Sequence, residues 1–166
     1  VYNATNPVTE TQSLIYNNAI GGGFRSTGTT ACGMYLSSSE NIGIYFNSIN
    51  NDSSQGRGIY TLSSSSLLDI RNNSFAFTGS GNGYAAYIQS SASLVANDYN
   101  NYFSGTSTNF VYYGADVADL AALQLVGIPV GNDANSLQGD PMYTGIYNLL
   151  PFGPQLSDAG TPIAGI

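Results

Sequence analysis

Ile15-Tyr16-Asn17-Asn18-Ala19-Ile20, Ile44-Tyr45-Phe46-Asn47-Ser48-Ile49, Ile70-Arg71-Asn72-Asn73-Ser74-Phe75 and Asp98-Tyr99-Asn100-Asn101-Tyr102-Phe103 share one six-residue pattern. Aligned on Asn18, Asn47, Asn73 and Asn101, the pattern recurs at spacings of 29, 26 and 28 residues. A period of that length, with one polar residue held in register, marks a stacked solenoid. A second row keeps step with the first: Gly33-Met34-Tyr35-Leu36, Gly58-Ile59-Tyr60-Thr61, Ala85-Ala86-Tyr87-Ile88 and Phe110-Val111-Tyr112-Tyr113. Its tyrosines lie 25, 27 and 25 residues apart. Two rows that share a period describe one coil.

Gly, Ser, Thr and Asn fill the gaps between the rows, as in residues 50–57 and 78–83. These are turn residues, and their varying number accounts for the wandering period. Short strands between such turns cannot bury their apolar sides alone. Stacking coil on coil at about 4.8 Å pairs every backbone and builds one continuous core. Period-two alternation points Ile42, Ile44, Leu68 and Ile70 inward, with Ile49, Phe75 and Phe103 inward beyond the asparagine. Asn18, Asn47, Asn73 and Asn101 then fall at a bend, where asparagine tolerates a left-handed backbone and its side chains can hydrogen-bond along the rod. In the second row Met34/Leu36, Ile59/Thr61, Ala86/Ile88 and Val111/Tyr113 face in. Tyr35, Tyr60, Tyr87 and Tyr112 face out as a stripe, the one candidate ligand-contact surface, suited to a polysaccharide or another surface protein.

Composition narrows the function classes. Charged residues make up 8% of the 166, with no lysine or histidine, and the net charge is −7. Arg25, Arg57 and Arg71 are the only cations. Nucleic acids and anionic membranes both need a basic surface, so neither is an expected partner. No long apolar run or basic leader is visible, so direct membrane insertion is not expected. The chain reads as a mature product or a piece of something larger, with Val1-Tyr2-Asn3 as the remnant of an earlier coil. Residues 116–126 carry the only helical spacing. Asp116 is the expected N-cap, Val117, Leu120 and Leu123 share a face, and Gly127 and Pro129 end the turn. Such a helix with an irregular tail would cover the last coil, which otherwise offers bare strand edges.

The repeat, Ile-x-x-Asn-x-Ile followed by Gly-Ile-Tyr, resembles the right-handed parallel β-helix repeats of secreted and cell-surface bacterial proteins. Asp119-Leu120-Ala121-Ala122-Leu123, Gly131-Asn132-Asp133-Ala134-Asn135-Ser136-Leu137 and Asp140-Pro141-Met142-Tyr143 are similar to a segment that follows the coils in such proteins from Bacteroidetes. The stretch from Leu149 to Gly160 is similar to that group's Ser-Pro-x-Ile-Asp-Ala-Gly ending, with Gly153 where serine is usual. The resemblance implies an all-β, right-handed parallel β-helix of about four to five coils. Residues 1–115 would form the coils, and residues 116–166 a short helix plus an irregular capping segment of the same domain. It also implies an extracellular or cell-surface location. Lyases, hydrolases, adhesins and repetitive stalks all use the fold.

The residues themselves point away from catalysis. Lyases of the resembled fold use Lys or Arg as base, and hydrolases use clustered aspartates. Here common general bases are missing, and Arg71, between Ile70 and Asn72, is expected to point outward to solvent. Glu40, Asp52, Asp69 and Asp98 are the acids on the coils, and a glycosidase needs two carboxyls held several Å apart. Asp98 aligns with the repeat isoleucine and Asp69 one place before it, so they need not share a face. Cys32 lacks any histidine partner and reads as a small apolar residue. Asn50-Asn51-Asp52 and Asn132-Asp133-Ala134-Asn135 offer oxygen ligands suited to calcium, but match neither an EF-hand nor a calcium-binding glycine repeat. No catalytic, cofactor or metal site is therefore expected, with structural calcium as the alternative reading. The expected role is a non-catalytic stalk or adhesin segment. The alternatives are a fragment of a lyase or hydrolase whose active site lies elsewhere, and a self-associating fibre unit stacking end to end.

Overall fold

The structure, a computed structural model, describes residues 11–22, 24, 27–126, 132–152, 154–156 and 159–166. Three strands make each coil. The first coil holds β1 (Ser13–Tyr16), β2 (Ala19–Gly21) and β3 (Cys32–Leu36). The second holds β4 (Glu40–Tyr45), β5 (Ser48–Asn51) and β6 (Arg57–Thr61), and the third β7 (Ser66–Arg71), β8 (Ser74–Phe77) and β9 (Tyr84–Ile88). The fourth holds β10 (Leu94–Asp98), β11 (Asn101–Phe103) and β12 (Val111–Tyr113). Equivalent strands pair in parallel, giving three sheets ordered β1-β4-β7-β10, β2-β5-β8-β11 and β3-β6-β9-β12. The described residues form a parallel β-solenoid of four coils with one short α-helix.

The core is the row of inward residues that alternation predicts. Leu36, Ile42, Ile44, Ile49, Ile59, Leu68, Ile70, Phe75 and Ile88 are all buried, each stacked on its equivalent in the next coil. Gly33, Gly58 and Ala85 form a column beside them. A Cβ on Gly58 would run into the Ala85 carbonyl oxygen and the Phe75 side chain, so the close approach of the second and third coils requires glycine there.

The bend between the first two strands of each coil carries an asparagine ladder. Asn18 Nδ2 donates to Asn47 Oδ1 at 2.8 Å, Asn47 Nδ2 to Asn73 Oδ1 at 2.9 Å, and Asn73 Nδ2 to Asn100 Oδ1 at 3.0 Å. From the second coil on, each amide also donates to a backbone carbonyl of the coil before: Asn47 to Ile15, Asn73 to Ile44, Asn100 to Ile70. The fourth rung is thus Asn100 and not Asn101, which corrects the alignment above by one residue. In consequence Tyr102, not Phe103, continues the inward row against Phe75, at 6.0 Å between ring centroids, while Phe103 is only half-buried. The left-handed residue is not the ladder asparagine, as expected, but the residue just before it: Asn17, Phe46, Asn72 and Tyr99 have φ of 58°, 54°, 60° and 56°. They turn the chain so that the following asparagine points along the rod.

The last coil is covered at its C-terminal end. β13 (Asp116–Val117) pairs antiparallel with β12, and β14 (Leu137–Gln138) pairs parallel with β11. The helix α1 spans Leu120–Val126, shorter than the expected 116–126, and buries Leu123 fully. Its N-cap is Asp119, which accepts from Ala122 N at 2.8 Å. Asp116 is unavailable for capping because its strand pairs with β12 and its carboxylate accepts the Tyr84 hydroxyl at 2.7 Å. The expected terminators Gly127 and Pro129 lie outside the described residues, as do Val1-Tyr2-Asn3, Arg25, Gly131 and Gly153. The chain then returns along the rod: Tyr143 Oη donates to Ser74 Oγ at 2.8 Å, and Asn72 and Thr161 exchange two hydrogen bonds of 2.8 Å each.

Candidate functional site: the tyrosine face

Strands β3, β6, β9 and β12 each place the tyrosine of the row on the outer face, because the residues on either side of it point into the core. Tyr35, Tyr60, Tyr87 and Tyr112 are half-buried and form the expected stripe. The rings pack on one another. Tyr35–Tyr60 and Tyr60–Tyr87 meet edge to face at 5.2 and 5.1 Å, and Tyr87–Tyr112 stack nearly parallel at 4.1 Å. Three residues before the tyrosines runs a second column, Cys32, Arg57 and Tyr84, which keeps the same period but repeats no residue type that would mark it in the sequence. The Arg57 guanidinium sits 4.3 Å from the Tyr60 centroid and 4.2 Å from that of Tyr87. Its Nη1 donates to the Thr29 carbonyl, and its buried Nε makes no hydrogen bond. Tyr84 meets Tyr87 edge to face at 5.2 Å.

This packing decides what the face can do. Arg57 lies over the Tyr60 and Tyr87 rings, and Tyr87 and Tyr112 cover one face of each other, so less ring area is left for a sugar to stack on. Burial, then the Asp116 carboxylate, push the Tyr84 phenol above its ordinary value, and burial with the neighbouring Tyr112 does the same at Tyr87. Tyr84 and Tyr87 therefore stay protonated donors. Cys32, beside Arg57, has its thiol raised by burial, which leaves it a poor nucleophile.

The coil acids do not converge. Asp69 and Asp98 both lie on the outer face of the first sheet, because the corrected register pairs Asp98 with Arg71 and puts Asn97, not Asp98, opposite Ile70. They serve separate networks. Asp69 accepts Arg71 Nε at 2.6 Å and Nη2 at 2.5 Å, with Tyr45 Oη at 2.8 Å. Asp98 accepts the Asn135 backbone N–H at 2.7 Å and its Nδ2 at 2.8 Å. Asp52 accepts Phe24 N at 2.9 Å. Among the described residues no three His, Cys, Asp or Glu side chains gather as a metal-binding group.

The oxygen-rich loops are wired into the protein. Asn50 Oδ1 accepts the Thr78 hydroxyl, and Asn51 caps the Ala31 and Arg57 carbonyls. Asp133, buried to 1% exposure, closes a polar cluster within the last coil. Its Oδ1 accepts Ser136 Oγ at 2.7 Å and Tyr102 Oη at 3.0 Å, and its Oδ2 accepts Asn97 Nδ2 at 2.7 Å. Burial outweighs these donors and pushes the Asp133 carboxyl up to about 6. No spacing in the sequence links Asn97 and Tyr102 to Asp133, because the contact spans 31 to 36 residues and is not part of the repeat. Compared with known proteins, the chain matches no family model, no curated protein and no solved structure.

Proposed function

We propose that this chain is a non-catalytic, extracellular β-solenoid module, a rigid stalk or adhesin segment of a larger bacterial surface or secreted protein. The observation that carries this reading is the continuity of two side-chain ladders through all four coils, the asparagines on one side and the tyrosines on another. Such ladders stiffen a rod, and they use the polar and aromatic groups that a catalytic face would leave free. Engagement of Asp52, Asp69, Asp98 and Asp116 by separate structural donors supports it further. Cover of the last coil by β13, β14 and α1 disfavours a head-to-tail fibre, which needs an open strand edge at that end. No described helix is long and apolar enough to cross a membrane.

The test is an incubation of the isolated chain with neutral and acidic polysaccharides, followed for new reducing ends and unsaturated products. No product is expected, and depolymerisation of any of them would overturn the non-catalytic reading. A glycan array probed with the same chain and with the Tyr60→Ala, Tyr87→Ala double variant reports on the stripe. Binding that survives the double change sinks the stripe as a glycan platform.

A further inference from the structure

A cleft of about 500 Å³ lies on a different face, between the outer side of the first sheet and the returning tail, residues 162–166. Gln12, Leu14, Tyr45, Asp69 and Arg71 line the sheet side. Its tail wall is fixed in place by the paired hydrogen bonds between Asn72 and Thr161, so the cleft is preformed. We propose that this cleft binds a neutral sugar unit of an oligosaccharide.

Three features of the lining select that chemistry. Arg71 uses Nε and one Nη2 proton on Asp69 and also engages Tyr45, and its side chain, 29% exposed, brings the remaining N–H donors to the cleft. Those donors belong to an ion pair whose charge is already compensated, and the whole chain carries −7, so an anion gains little by approaching. A ring bearing uncharged hydroxyl oxygens accepts the same hydrogen bonds without that penalty. The Gln12 side chain, held by Tyr45 Oη at 2.7 Å, adds an amide to the polar edge. The second feature is apolar. Leu14 and Ile166, 42% and 43% exposed, stand beside Pro162 and Ile163 and match the C–H face of a pyranose. The third is rigidity: Asp69 is held by Arg71 and Tyr45 together, so the polar edge is set before a ligand arrives.

Calorimetric titration of the chain with neutral hexaoses (cello-, xylo-, manno- and malto-) and with oligogalacturonate and oligoalginate tests this. At least one neutral series is expected to bind, and the acidic series at least ten-fold more weakly. Arg71→Met should weaken the neutral sugar by about ten-fold or more. Because that change leaves Asp69 without its cation, Ala164→Trp provides an independent variant, filling the cleft from the exposed tail while keeping both members of the ion pair. It should abolish binding while the circular dichroism spectrum stays that of the parent. The proposal is overturned if no neutral series binds or the acidic ones bind better. It is equally overturned if Ala164→Trp leaves affinity unchanged, or if Tyr60→Ala with Tyr87→Ala removes it while both cleft variants bind as the parent does.

Discussion

Replacing Asn73 by alanine is expected to cost about 3–5 kcal/mol, enough to unfold a marginal domain. Asn73 is 2% exposed and its side chain has five hydrogen-bond partners, two on Oδ1 and three sharing the two Nδ2 protons. Its Oδ1 accepts both the backbone N–H and the Nδ2 of Asn47, each at 2.9 Å. Its Nδ2 donates to the carbonyls of Ile44 and Arg71 and to Asn100 Oδ1. Alanine strands the Asn47 N–H and the Ile44 carbonyl between two coils, where water cannot replace the lost partner, and each such orphan costs about 1–3 kcal/mol. Asn73→Asp keeps the acceptor but sets a carboxylate oxygen against the Ile44 and Asn100 oxygens, so it should be at least as damaging above the carboxylate range. The same truncation at Asn18, an exposed end rung, should cost under about 1 kcal/mol. Chemical unfolding of the variants measures the contrast. Equal losses at Asn18 and Asn73 would show that the ladder is decorative.

The ladder also shows where sequence reading succeeds and where it slips. Inward rows, outward tyrosines and bend asparagines were legible for the first three coils because each position repeats a residue type. In the fourth coil Asn100 and Asn101 stand side by side, each followed two places later by an aromatic, Tyr102 or Phe103. Period and pattern accept either. What decides is the polar cluster at the cap. Asn97 occupies the place of Ile70 and can be buried there because Asp133 and Tyr102, together with Asn100, supply its side-chain partners. Tyr102 can enter the core in place of Phe103 only because Asp133 accepts its hydroxyl. The register of the last coil is set by a residue outside the repeat, and no reading of the repeat alone could find it. The cleft beside Arg71 was illegible for the same reason. Its outer wall is a tail brought back across 89 residues by the Asn72–Thr161 pair.

Asp133 also makes stability depend on pH, and in a direction opposite to that of a salt-bridged acid. Burial raises its folded-state value to about 6, above the ordinary carboxylate value of 3.8. The folded state therefore binds the proton more tightly than the unfolded state. This group's contribution is at its most favourable below about 4, declines as pH rises from about 4 through 6, and is constant above that. A shift of this size corresponds to about 2–3 kcal/mol. The cluster can take up the proton without rearranging. Tyr102 Oη lies 3.0 Å from Asp133 Oδ1 and 3.3 Å from Asn97 Oδ1, so its proton points to the carboxylate when Asp133 is ionised. When Asp133 is protonated, the hydroxyl turns to Asn97 and accepts from the acid. Unfolding free energies measured between pH 4 and 8 should fall across that window and then level off. Asp133→Asn should flatten the profile, at a cost in stability from the amide facing Asn97 Nδ2. Asp98→Asn should move the midpoint down, because the Asp98 charge helps hold the Asp133 proton in place. A profile for Asp133→Asn with the slope of the parent would assign the pH dependence to other carboxyls and leave the cap cluster without its proton.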